Sequence, residues 1–208
     1  LGSKEDLALS FNNFGLLYED MGRLDKAHES LSKSLSYWLE LENSSWVAVT
    51  YANLGSTMES GGELDSALTL YEQSLAILES ITGTGSQHGE VMSYMGRVML
   101  KKNEPVAARK WCLKSLAIAK QWASNSLSMQ SCQCLQKASD LLGKPVEAYD
   151  YFQRYVGFRD SLSGQDLTRE LTKLEMDYSF RKELLADSLE VAKTRIKTEF
   201  EFNQRIAS

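Results

Sequence analysis

One pattern returns four times along this chain at an almost constant interval. Gly22, Gly62, Asn103 and Gly143 are spaced 40, 41 and 40 residues apart. Ala27, Ala67, Ala108 and Ala148 keep the same interval, each five residues later. Seven residues before each turn residue stand Gly15, Gly55, Gly96 and Gln136; twelve after it stand Ser34, Ser74, Ser115 and Tyr155. Around the serines the text nearly repeats, as Lys33-Ser34-Leu35, Gln73-Ser74-Leu75 and Lys114-Ser115-Leu116. A fixed period of this length marks an array in which each small unit buries its apolar face only against its neighbours.

Each unit reads as two helices. Tyr51, Leu54, Gly55 and Met58 fall at i, i+3, i+4 and i+7, one face of a helix. Gly61-Gly62 ends it by admitting a left-handed residue. Leu64, Ala67, Leu68, Tyr71, Leu75 and Leu78 then mark the second helix. A glycine inside a helix costs about 1 kcal/mol against alanine, so its return at one register implies close approach of a neighbouring helix. Pro105 and Pro145 fall where a first helical turn accepts proline. Only two prolines and 13 glycines occur in 208 residues, which argues against a strand-rich fold with many turns.

The pattern resembles the tetratricopeptide repeat (TPR). That family wants a large residue, then Leu-Gly, an aromatic, then Ala, a large residue and a small one. Unit one offers Phe11, Phe14-Gly15, Tyr18, Ala27, Leu31 and Ser34; unit two offers Tyr51, Leu54-Gly55, Met58, Ala67, Tyr71 and Ser74. Unit three offers Met92, Met95-Gly96, Met99, Ala108, Cys112 and Ser115; unit four is degenerate, with Gln136 and Tyr155 in place of glycine and serine. The period exceeds the commonest one and is similar to that of kinesin light chain and many bacterial regulators. The resemblance implies an all-α, right-handed TPR superhelix over 4–163, with units near 4–43, 44–83, 84–124 and 125–163. Residues 1–3 read as a cloning scar. It implies equally that the first helix of each pair lines a concave groove that takes a peptide or a partner protein.

From Gln165 to about Arg205 there is neither Gly nor Pro, and apolar residues from Leu167 to Phe200 step mostly by three and four. This predicts a long C-terminal helix over 164–208, too long for a small array to cover. It leaves open a cap on the last repeat, a frayed end, or a coiled-coil homodimer. Phe158-Arg159-Asp160-Ser161-Leu162 and Leu174-Glu175-Met176-Asp177-Tyr178 are similar to a bacterial arrangement. There, a TPR sensory region leads through a linker helix, often a membrane span, to a histidine kinase, a class III nucleotide cyclase or a helix-turn-helix regulator. The expectation is a fragment of a longer signalling protein, with a membrane span or output domain beyond the C-terminus.

Charge is unevenly placed. Residues 1–90 carry 4 Lys and Arg against 14 Asp and Glu, whereas residues 91–164 carry 11 against 5. The net charge of −5 disfavours direct nucleic-acid binding, and the bipolar distribution can steer a charged partner to one end.

The residues expected to face the groove are Asn12, Asn13, Asn53, Ser56, Tyr94, Arg97, Lys101, Gln133 and Lys137, with Leu16 beside them. Asn13 and Asn53 share one repeat position, where an amide can both give and accept a hydrogen bond to a peptide backbone. Arg97, Lys101 and Lys137 suggest a basic patch for an acidic stretch. The family's carboxylate clamp maps to Asn12, Leu16, Asn53, Glu90 and Tyr94. Only the central Asn fits, and Glu90 would repel a carboxylate.

Catalytic and metal signatures are missing from the sequence, so the chain reads as a non-enzyme with no cofactor. Cys132-x-Cys134 is not a metal motif, because residues two apart on a helix point to different sides. Cys112 and Cys132 fall at core positions, and a bond between those two remains open. Gly83-Thr84-Gly85-Ser86-Gln87-His88-Gly89 lacks the strand and the Gly-Lys-Ser/Thr ending of a phosphate loop and reads as a connection. His28 reads as a surface residue. Three cysteines lean toward a reducing compartment and the sensor likeness toward the outside of a membrane, so the compartment stays open. A stand-alone cytoplasmic TPR adaptor is the alternative to a sensory module.

Overall fold

Gly22, Gly62, Asn103 and Gly143 all take the left-handed conformation, with φ of 70°, 83°, 60° and 68°. Each closes a first helix with the same pair of bonds. The Gly22 amide donates to the Glu19 carbonyl and the Arg23 amide to that of Tyr18; Gly62 and Glu63, Asn103 and Glu104, and Gly143 and Lys144 repeat the arrangement. It satisfies carbonyls that a helix end would otherwise leave open, and it requires a residue that tolerates positive φ.

The computed structural model describes residues 3–81 and 85–164. Among them, eight helices follow one another. They are α1 (Lys4–Asp20), α2 (Leu24–Glu40), α3 (Ser44–Ser60), α4 (Leu64–Ser80), α5 (Gly85–Lys101), α6 (Pro105–Gln121), α7 (Asn125–Leu141) and α8 (145–164). All the packing below lies in one compact unit, Leu1–Asp160. The long helix expected over Gln165–Arg205, with its cap or dimer seam, lies outside the described residues. Ser3 closes α1 with a capping box, its Oγ accepting from the Asp6 amide and its own amide donating to the Asp6 carboxylate.

The fold is an all-α TPR superhelix of stacked helix pairs. Odd and even helices pair within each unit, and successive first helices touch along α1, α3, α5 and α7. The repeat residues show why. Ala27, Ala67 and Ala108 are fully buried at the crossing. A Cβ on Gly15 would stand 2.5 Å from Leu31, one on Gly55 2.6 Å from the Tyr71 ring, and one on Gly96 would run into Cys112 Sγ. These partners share one register, so the glycine makes room for the large residue of the second helix. Unit four tests that reading within the chain. There Gln136 replaces the glycine, and Phe152, in the register of Leu31, Tyr71 and Cys112, is 48% exposed.

The repeated serine does more than fill a small space. Ser34 Oγ donates to the Ala8 carbonyl, Ser74 to Ala48 and Ser115 to Gly89, at 2.7–2.8 Å and always 26 residues back. Each bond ties the second helix of a unit to the first, inside the core. Tyr155 replaces this serine in unit four.

Two expectations need correction. The segment 83–89 is not a connection throughout, because α5 begins at Gly85 and carries His88. Gly85 and Gly89 sit where a Cβ would meet Trp122 and Leu127, so close packing accounts for them. The disulfide joins Cys112 to Cys134, linking α6 to α7, and Cys132 is the buried free thiol. The bridge lies over Gly96, whose missing side chain leaves room for both sulfurs.

Candidate binding face of the first helices

α1, α3, α5 and α7 place their outward residues side by side, and hollows open between them, two of which are lined by side-chain amides. One lies between α3 and α5, lined by Val49, Ala52, Asn53, Gln87, Glu90, Val91 and Tyr94, with Ser74 and Leu78 at its floor. The other lies between α5 and α7, lined by Ser93, Arg97, Leu100, Gln130, Gln133, Cys134 and Lys137. Amides, hydroxyls and charges over a partly apolar floor suit a peptide segment.

Asn12 is not presented on this face. It is buried, and its Oδ1 accepts a 2.8 Å bond from Asn53 Nδ2. Asn13 is exposed and Asn53 half-buried, although the two share a register. The difference follows from stacking, since Asn53 has unit one to lean on. Leu16 is exposed, as are Gln133 and Lys137.

Ser56, Arg97 and Lys101 are engaged in a ladder that sequence reading missed. Glu19 accepts from Ser56 Oγ at 2.7 Å, Thr57 Oγ1 at 3.2 Å and Ser60 Oγ at 3.0 Å. Forty residues on, Glu59 receives Arg97 through Nε and Nη2 at 2.7 Å each, Lys101 Nζ at 2.9 Å and the Tyr71 hydroxyl at 3.0 Å. Arg97 and Lys101 occupy the registers of Ser56 and Ser60. The first helices of units one and two thus each hold the next through an acid three residues before the turn. The signal was present in the text, because Glu19 and Glu59 recur with the repeat.

Burial acts to push the Glu59 carboxyl up, yet Arg97 and then Lys101 outweigh it and hold it below the usual carboxylate range. Burial likewise opposes the charge on Arg97, and Glu59 overcomes it. Burial, then the nearby carboxylate of Glu59, raises the Tyr71 phenol. Tyr94 packs its ring 5.6 Å from that of Tyr71, and the Arg97 guanidinium lies 4.9 Å from the Tyr94 ring centre. Most of the expected basic patch is therefore neutralised within the array. At the third interface Leu100 stands in the register of the acids, and Lys137, in that of Arg97, keeps its charge exposed.

Among the described residues, no group of three or more His, Cys, Asp or Glu is placed to hold a metal ion. No described helix is long and apolar enough to cross a membrane. His28 is exposed on α2.

Residues 6–80 match the family described as tetratricopeptide repeat. Solved structures extend the likeness beyond that segment. Residues 6–80 thus carry the TPR match, and the described array shares the TPR fold. BtubC (BKLC) from P. vanneervenii is similar over 79% of this chain and 67% of its own, with 20% identity and a TM-score of 0.68. MamA is similar over 76% and 81%, with 20% identity and a TM-score of 0.56. The apo form of RapI is similar over 81% of this chain and 61% of its own, with 14% identity and a TM-score of 0.71. At such identities the likeness is one of fold. No curated protein matches the chain. TPR repeats are typically protein-interaction scaffolds, and the match supports that coarse function here.

Proposed function

We propose that the TPR array binds an extended segment of a partner protein across α3, α5 and α7, as the regulatory or sensory part of a larger signalling protein. The observation that carries this reading is the pair of hollows on the first-helix face. Both are lined by side-chain amides, Asn53 and Gln87 in one and Gln130 and Gln133 in the other. Amides that give and accept at once match a peptide backbone, whatever its sequence. The signalling context is supported by the similarity of residues 158–162 and 174–178 to the entry of bacterial linker helices. The Cys112–Cys134 bond supports an oxidising compartment over a reducing one.

Site-specific photo-crosslinking tests the face. A benzophenone side chain at Gln133 should trap a discrete partner in extracts of the source cells, whereas one at exposed Val106 on α6 should not. Equal trapping at both positions, or trapping at Val106 alone, would refute the first-helix face as the binding surface.

A further inference from the structure

The charges on the first-helix face divide into two kinds. Glu19 is met by three hydroxyls, and Glu59, Arg97 and Lys101 satisfy one another. Glu90 and Lys137 stand apart. Both are exposed, and neither has an ion pair or a side-chain hydrogen bond among the described residues. Each lines a different hollow, Glu90 the one between α3 and α5 and Lys137 the one between α5 and α7. The walls of its hollow partly desolvate the Glu90 carboxyl and raise it, and no ion pair meets it among the described residues.

Their separation follows from the repeat. Lys137 holds the register of Arg97, seven residues beyond Glu90 and one helix across. Seven residues rise about 10 Å along a helix, and neighbouring helix axes lie about 8–10 Å apart. The diagonal is about 14 Å, which an extended chain spans in about four residues.

Resting on the reading that this face binds an extended segment, we propose that it selects a segment carrying a cation and a carboxylate about four residues apart. The cation lies over Glu90 and the carboxylate over Lys137. The array's own polarity agrees with this order, since residues 1–90 are strongly acidic and residues 91–164 basic. A long-range field of that sense orients an amphoteric segment before contact. A uniformly acidic segment gains at Lys137 and is repelled at Glu90.

An array of acetylated, amidated peptides tests this, with Lys-to-Glu spacing and order varied and Gln replacing either charge in controls. Labelled wild-type protein should favour spacings near four, and replacing one charge by Gln should weaken binding about fivefold. The double variant Glu90→Lys/Lys137→Glu, changed only at exposed residues, should bind the same charge pair with the peptide running in the opposite direction. Peptides that bind and shift the Gln133 side-chain amide signal, without regard to charge spacing, would overturn this inference and leave the binding face standing. Peptides that bind without perturbing Gln133, or no binding at all, would overturn both.

Discussion

Arg97 reaches from α5 to α3 and grips both carboxylate oxygens of Glu59, at 2.7 Å each. The Glu59 side chain is 3% exposed and that of Arg97 44%, so an inner acid is covered by an outer base. A carboxylate in such a position is stabilising only while its partners remain.

Removing both cations should therefore cost more than removing the whole cluster. Arg97→Met with Lys101→Met is expected to lose about 2–4 kcal/mol in urea unfolding, below the fully buried limit because both bases are partly solvated. Adding Glu59→Leu should recover most of that loss, since Leu100 already fills this register in the next unit. A double variant as stable as wild type would contradict the account.

The same carboxylate makes stability depend on pH. Its folded pKa lies below the unfolded value. The contribution is fully present above the ordinary carboxylate range and is lost as the pH falls through the lower folded value. Urea midpoints taken from neutral to acid pH should fall more steeply for wild type than for Glu59→Gln. Parallel curves would show that Glu59 carries no such linkage.

Two glycines should respond in opposite ways. Gly55→Ala sets a Cβ 2.6 Å from the Tyr71 ring. That ring is fully buried and held through its hydroxyl by Glu59, so it cannot retreat. A loss of about 1–3 kcal/mol is expected. Gly157, on α8, has nothing within 4 Å of its added Cβ. There Gly157→Ala should stabilise by about 0.5–1 kcal/mol. Thermal melts of the pair check both signs.

The Cys112–Cys134 bridge spans a sequence separation of 22. Closing a loop of that size is worth about 3 kcal/mol in the chain-entropy description. Reduction should lower the melting temperature of wild type, and a Cys112→Ala/Cys134→Ala variant should be insensitive to reductant. Thiol titration of the unreduced, denatured protein should find Cys132 alone; three reactive thiols would contradict the bridge.

The fold was legible because the repeat writes the same instructions several times. Gly22, Gly62, Asn103 and Gly143 announced the turns, and Ala27, Ala67 and Ala108 the crossings, from residue type and interval alone. What joins one unit to the next was harder to read. Glu59 looks like a surface acid until α5 is laid beside α3, and its partners Arg97 and Lys101 lie 38 and 42 residues away. Asn12 was misplaced for the same reason, because its burial depends on Asn53 of the following unit. The cysteine partner was hidden too, since Cys132 and Cys134 differ by two residues and only helix packing decides which side each faces. Local signals set the helices; pairings across units need the stack itself.

The central claim is that a partner segment lies along the first helices. Side-chain amide signals in a nitrogen-edited NMR titration test it most directly, using a peptide selected from the array. Binding as described shifts Asn53, Gln87, Gln130 and Gln133 together and leaves Gln121 and Gln153, on the second helices α6 and α8, unmoved. Shifts confined to Gln121 and Gln153 would place the ligand on the second helices and contradict the account.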